Sequence, residues 1–248
     1  MYKRQTLVQI VTLGVYAAAT RSLLVDAPPP AATSSMRRIV ALGTPIGLQL
    51  LAEVGVFCLA GILAATMGKR PAAAHQVAIN LASFTFSVAV GIGAAATVRV
   101  GHAVGAGDHR QARASGLASL ALGGGVMSIG ALVFVAAPAT LARLLTDDAA
   151  VIAAAVPLIQ IAAVFQISDG AQAIGAGALR GAGDTRATFV ANLVGHYAVG
   201  LGISLVSGFA LGMGAPGLWW GLSAGLTGTA AVLVARFLAT TARPIRRA

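Results

Sequence analysis

Residues 42–57 read LGTPIGLQLLAEVGVF. The stretch belongs to an apolar run, 39–67, in which Glu53 is the sole charge. A helix of about 20 residues crosses a bilayer, so this run is long enough to span. Glu53 then sits mid-span, where a carboxylate is costly and marks a functional site by default. Gln49 lies four residues earlier and shares its helical face. Polar residues on one face of a membrane helix point toward a bundle interior or a wet cavity. The plainer alternative is a Gln–Glu pair that only links helices, although a neutral Gln would make that link at lower cost. Pro45 removes a backbone hydrogen bond within the run and predicts a kink.

Five more stretches match the first in length and character: 74–98, 114–140, 149–179, 187–211 and 216–239. Charged residues make up 10% of the chain and mean hydropathy is +0.85. Soluble domains carry roughly 25% charged residues. Aromatics are only 5%. The apolar mass is therefore mainly Ala, Leu, Val and Gly, a composition that lets membrane helices approach closely. The fold class that follows is all-α, a polytopic membrane protein of six transmembrane helices. Assigning the polar joints alternately to two sides places 11 Lys/Arg on one side and 3 on the other. The positive-inside rule makes the first side cytoplasmic, with both ends of the six-span unit on it.

The chain has seven acidic residues. Asp26, Asp108, Asp147, Asp148 and Asp184 lie in joints or in the leader, which leaves Glu53 and Asp169 at membrane depth. Asp169 stands in FQISDGAQ beside Gln166, Ser168 and Gln172, with no Lys or Arg within a turn. Its partner must come from another helix or from an ion. If it shares a cavity with Glu53, two like charges in low dielectric make at least one of them harder to ionise.

The second span carries Gln76, Asn80, Ser83 and Ser87 at helical spacing. The stripe either lines the same cavity or bonds helices together at about 0.6 kcal/mol per contact. The fifth span adds Asn192, His196 and Tyr197. His196 reads more readily as hydrogen-bonded structure than as a pH sensor. His75, near the start of the second span, reads as a surface capping or packing residue.

Net charge is +10, but the basic residues sit between apolar segments without an aromatic-bearing basic face, which argues against nucleic acid as a partner. Cys58 is the single cysteine, so there is neither a disulfide framework nor a cysteine metal cluster. HExxH and P-loop patterns are missing, and the Gly-rich GHAVGAGD lies in a joint between spans rather than after a strand. The reading is of a non-enzyme with no cofactor.

The N-terminal region stands apart. An apolar run at 6–20 is too short to span alone, and APPPAATSS at 27–35 is a breaker-rich linker. The opening MYKRQ reads as foreign to the rest of the chain. The expected organisation is a truncated helix remnant with a cytoplasmic linker at 1–36, a six-helix lobe at 37–240 and a basic cytoplasmic tail at 241–248. A fragment is the expectation.

Five motifs in order, LGTPIGLQLLAEVGVF, AAHQVAIN, GIGAAATVRVGHAVGAGDHRQAR, LRGAGDTR and APGLWWGL, resemble the C-terminal half of the MATE (multidrug and toxic compound extrusion) family. The likeness covers about residues 37 to 236. It implies two six-helix lobes around a central cavity, of which this chain resembles the second, in a bacterial inner membrane with a lipid bilayer and a missing N-terminal lobe as partners. In NorM-type members this lobe holds cation-binding carboxylates on its first and fourth helices, positions that Glu53 and Asp169 occupy. The resemblance implies export of small cationic or aromatic drugs in exchange for Na⁺ or H⁺, with any Na⁺ held at those two residues. Gln49, Gln76, Asn80, Gln166 and Asn192 become further cavity residues, and Tyr197 an aromatic contact. Two other readings are a flippase for lipid-linked saccharides, which would call for more basic residues in the cavity, and a membrane half-module that transports nothing.

Overall fold

The computed structural model describes residues 32–242. The expectations for MYKRQ, the 6–20 run and the basic tail beyond Ala242 fall outside them. The chain divides between Leu42 and Gly43 into two units, and the bundle is built by the second.

All regular structure among the described residues is helical: α1 (Ala32–Thr66), α2 (Lys69–Gly105), α3 (His109–Ala136), a short α4 (Pro138–Arg143), α5 (Ala149–Gly181), α6 (Thr185–Ala210) and α7 (Gly214–Thr241). Six segments are long and apolar enough to cross a membrane, the first being Gly43–Thr66 within α1. Their outer surface is apolar: Leu51, Leu132 and Val194 are exposed, and Phe84 is 77% exposed. Such a surface suits lipid rather than water.

Several helices outrun the apolar stretches that announce them. α2 begins at Lys69 and ends at Gly105, beyond 74–98, and takes in Lys69, Arg70 and Arg99 at its ends. α1 begins at Ala32, inside the stretch read as a linker; Pro28–Pro30 lie outside the described residues. The third span does not run unbroken to residue 140. It stops at Ala136, and Pro138, which has no amide hydrogen to give, opens the separate α4.

The joints explain the Gly-rich segments. GAGD occurs twice, at 105–108 and 181–184, after the parallel helices α2 and α5. In each, the glycine before the aspartate takes positive φ, 77° at Gly107 and 85° at Gly183. The aspartate amide reaches back to close the helix, Asp108 to the Ala103 carbonyl and Asp184 to that of Leu179, both at 2.9 Å. The carboxylate then caps the next helix: Asp108 accepts from Gln111 N at 2.9 Å, and Asp184 from Ala187 N at 3.3 Å. Asp148 caps α5 in the same way, from Ala150 N at 2.8 Å. Asp184 also receives Nε of Arg236 at 2.6 Å, tying the start of α6 to the end of α7.

α5 is the hub, packed on α2, α3, α4, α6 and α7. Its C-terminal half meets α2 with almost no side chain between the backbones. A Cβ on Gly177 would collide with the Gly93 carbonyl. Thr97 Oγ1 donates across this seam to the Gly177 carbonyl at 2.8 Å. α6 is irregular, with π-helical turns at Val194–Leu201 and Val206–Ala210, and its Ser204 and Ser207 hydroxyls donate to the Leu218 and Gly217 carbonyls of α7 at 2.8 and 2.7 Å.

Candidate functional site

A cavity of about 680 Å³ opens between α1, α2 and α5. α1 supplies a single stripe, with Leu50, Glu53, Val54, Phe57, Cys58 and Gly61 at the spacing of one helical face. α2 adds His75, Gln76, Ile79, Asn80, Ser83 and Phe86, and α5 adds Phe165 and Asp169. Two carboxylates thus share a wall with three phenylalanines, and no Lys or Arg lines it.

The carboxylates differ in their support. Glu53 accepts one long hydrogen bond, from Gln172 Nε2 at 3.3 Å. The same Nε2 donates to Asn192 Oδ1 at 2.9 Å, so a polar chain runs from α6 through α5 to α1. Asp169 accepts no hydrogen bond from a side chain or backbone amide among the described residues. Glu53 is 7% exposed and Asp169 5% exposed. Each is therefore withdrawn from bulk water with little protein compensation. Such oxygens attract a proton or a cation.

The other sequence-derived residues separate into two groups. Gln76 and Asn80 line the cavity and bond each other at 3.2 Å; Ser83 lines it as well, while Ser87 turns its hydroxyl onto the Ser83 carbonyl at 2.8 Å. Gln49, Gln166, Asn192 and Tyr197 lie off the wall. Gln166 is fully buried and donates to Thr85 Oγ1 of α2 at 2.7 Å, which makes it a link between helices. Gln49 is buried with Oε1 unpartnered. The Tyr197 hydroxyl donates to the Ala52 carbonyl at 3.0 Å, beside Glu53, and so its ring braces α6 against α1. His75 is not at the surface: it is 4% exposed, packs edge-on to Trp219 and forms part of the cavity wall. His196 is buried, with Nδ1 3.0 Å from the Asn192 carbonyl.

Gln172 is the residue whose role the sequence did not single out. It stands 119 residues from Glu53, so only the fold makes the pair visible. Its sequence signal was position: it falls three residues after Asp169, on the same helical face.

The fold and site define a polytopic helical membrane protein with an acidic, aromatic-walled cavity at membrane depth. A family model described as MatE matches residues 45–206, and the chain belongs to that family. It is 42% identical over 207 residues to the multidrug resistance protein NorM of Burkholderia vietnamiensis, covering 82% of this chain and 45% of that protein. It is 43% identical over 208 residues to the probable multidrug resistance protein NorM of Deinococcus radiodurans, covering 82% and 46%. The chain spans about half the length of these curated relatives. In structure it superposes on the eukaryotic MATE transporter AtDTX14 with a TM-score of 0.84 at 23% identity, over 93% of this chain and 52% of that one.

Proposed function

We propose that this chain is the C-terminal half of a multidrug efflux transporter that exchanges cationic or aromatic drugs for Na⁺ or H⁺. The observation that carries the reading is the shared wall of Glu53 and Asp169, with Phe57, Phe86 and Phe165 beside them and no basic residue among the lining. Flat aromatic cations meet stacking faces and negative charge there. A coupling ion and a cationic drug would compete for the same two carboxylates, and that competition is what exchange requires. An anionic saccharide headgroup would find no cationic partner on this wall, which favours drug export over lipid flipping.

The names of the NorM relatives support the same reading. The Lys/Arg asymmetry supports a cytoplasmic position for both ends of the six-span unit, across the inner membrane of a bacterium. Alternating access would come from rocking of this lobe against a preceding one, as in other transporters built from repeats.

Ethidium efflux from proteoliposomes tests this, with an imposed Na⁺ or proton gradient and the chain either alone or joined to a first lobe. Efflux should follow one gradient and be lost in Glu53→Gln and in Asp169→Asn. Efflux that survives both substitutions would remove the coupling role, and a joined protein that never moves ethidium would remove the drug-export reading.

A further inference from the structure

His75 is a cavity group that the proposed exchange leaves unused. Trp219 Nε1–H points at His75 Nδ1 at 3.2 Å. An indole nitrogen only donates, so Nδ1 must offer a lone pair and the neutral ring carries its hydrogen on Nε2. Trp219 cannot easily turn away. It is 0% exposed and stacks on Phe165 with ring centroids 5.7 Å apart. The other edge of the imidazole faces α1, where a Cβ on Gly61 would stand 3.3 Å from Nε2. Gly61 and His75 both line the cavity, and no acceptor bonds Nε2 among the described residues.

We propose that His75 is a specificity-determining residue. Locked by Trp219, it presents an Nε2–H donor of fixed direction to the cavity, and Gly61 keeps that donor uncovered. The cavity then selects cations that also carry a hydrogen-bond acceptor, such as a carbonyl, ether oxygen or ring nitrogen, on the side away from the carboxylates. A site built to bond an acceptor discriminates against an isostere that lacks it, because its own polar group is left unpaired. This inference rests on the cation-binding reading of the cavity.

The test uses this chain in lipid nanodiscs and two N-methylacridinium probes of equal shape, one bearing an acetyl group and the other an isopropenyl group in its place. Fluorescence titration should show the acetyl probe binding about tenfold more tightly, the value of one net hydrogen bond. His75→Leu and Gly61→Ala should each erase that preference, and His75→Gln, which retains a donor, should restore part of it. Equal binding of the two probes by the wild-type chain would overturn the inference and leave the cation reading standing. Binding of neither would overturn both. A second measurement does not depend on the variants folding: ¹⁵N spectra of the histidine rings should show His75 protonated at Nε2 with Nδ1 as acceptor, and the opposite tautomer would refute the proposal.

Discussion

The helices α2 and α5 run side by side and make two opposite surfaces along their length. Toward their C-terminal ends, Gly93, Thr97 and Gly101 meet Ala173, Gly177 and Gly181, and the backbones touch. Toward the N-terminal end of α2, His75, Gln76 and Asn80 turn into open space, and Asp169, near the middle of α5, turns into it as well. Lipid offers helices no hydrophobic reason to associate, so close van der Waals contact and interhelical hydrogen bonds must hold them. The seam supplies both. The cavity leaves polar groups unmatched, and the bundle tolerates this because the seam fixes the pair rigidly a few turns away. The open cavity thus depends on a part of the helices where nothing is adjustable.

Filling the seam should have the largest effect. A side chain on Gly177 meets the Gly93 carbonyl, which is backbone and cannot rotate aside. Overpacking normally costs about 1–3 kcal/mol, and here Gly177→Leu should exceed that range. The measure is the denaturation midpoint of the detergent-solubilised chain, read by far-ultraviolet circular dichroism. A stable Gly177→Leu protein would show that the helices can separate and that the seam does not anchor the cavity.

The polar chain Glu53–Gln172–Asn192 comes next, since it joins the cavity to the packed interior. Gln172→Leu removes the donor to both neighbours and leaves two buried acceptors unpaired. About 2 kcal/mol of destabilisation is expected, on the same denaturation assay. A neutral result would mean that Glu53 and Asn192 find other partners.

On the cavity side the prediction reverses: binding changes while the fold does not. Glu53→Gln and Asp169→Asn keep size and hydrogen-bonding capacity but remove charge. Each should weaken binding of an N-alkylated aromatic cation about tenfold, with little change in denaturation midpoint. A large stability loss in either would make that carboxylate a structural group.

This contrast sets what could be read from the chain. The six spans were legible because length and apolar content alone demand them, and the two deep carboxylates because their cost is visible without a structure. The seam was less so. Small residues at four-residue spacing recur throughout this Ala- and Gly-rich sequence, and nothing in one dimension says that Gly177 meets Gly93 while Gly124 meets nothing within 4 Å. The division of polar residues was hidden for the same reason. Gln76 and Gln166 look alike as glutamines in apolar runs, yet one faces the cavity and the other is fully buried against Thr85. Tyr197 is an aromatic contact only by the family resemblance; it lies off the cavity lining, and its hydroxyl is committed to Ala52. The π-helical turns of α6 carry no sequence mark at all. GAGD, by contrast, was legible as a joint, and its repetition after both α2 and α5 reflects the parallel course of the two helices.

The smallest prediction separates backbone proximity from hydrogen bonding within the seam. Thr97 Oγ1 donates to Gly177 O of the other helix at 2.8 Å and lies 3.0 Å from Gly93 O of its own. Thr97→Val keeps the β-branched shape and removes only the hydroxyl. Because the Gly93 carbonyl already serves its own helix, the loss should be that of one interhelical hydrogen bond in a membrane, about 0.6 kcal/mol. Gly125→Ala supplies the reference: Gly125 is exposed and a Cβ there meets nothing within 4 Å. Its effect should be a gain of about 0.5–1 kcal/mol, the helix-propensity difference between Gly and Ala with no tertiary contact changed. If Thr97→Val cannot be told from the unsubstituted chain on an assay that resolves the Gly125→Ala gain, close backbone approach alone holds α2 to α5. If it costs several times more, the hydroxyl is what sets the register of the two helices, and with it the alignment of Asp169 against the α2 wall of the cavity.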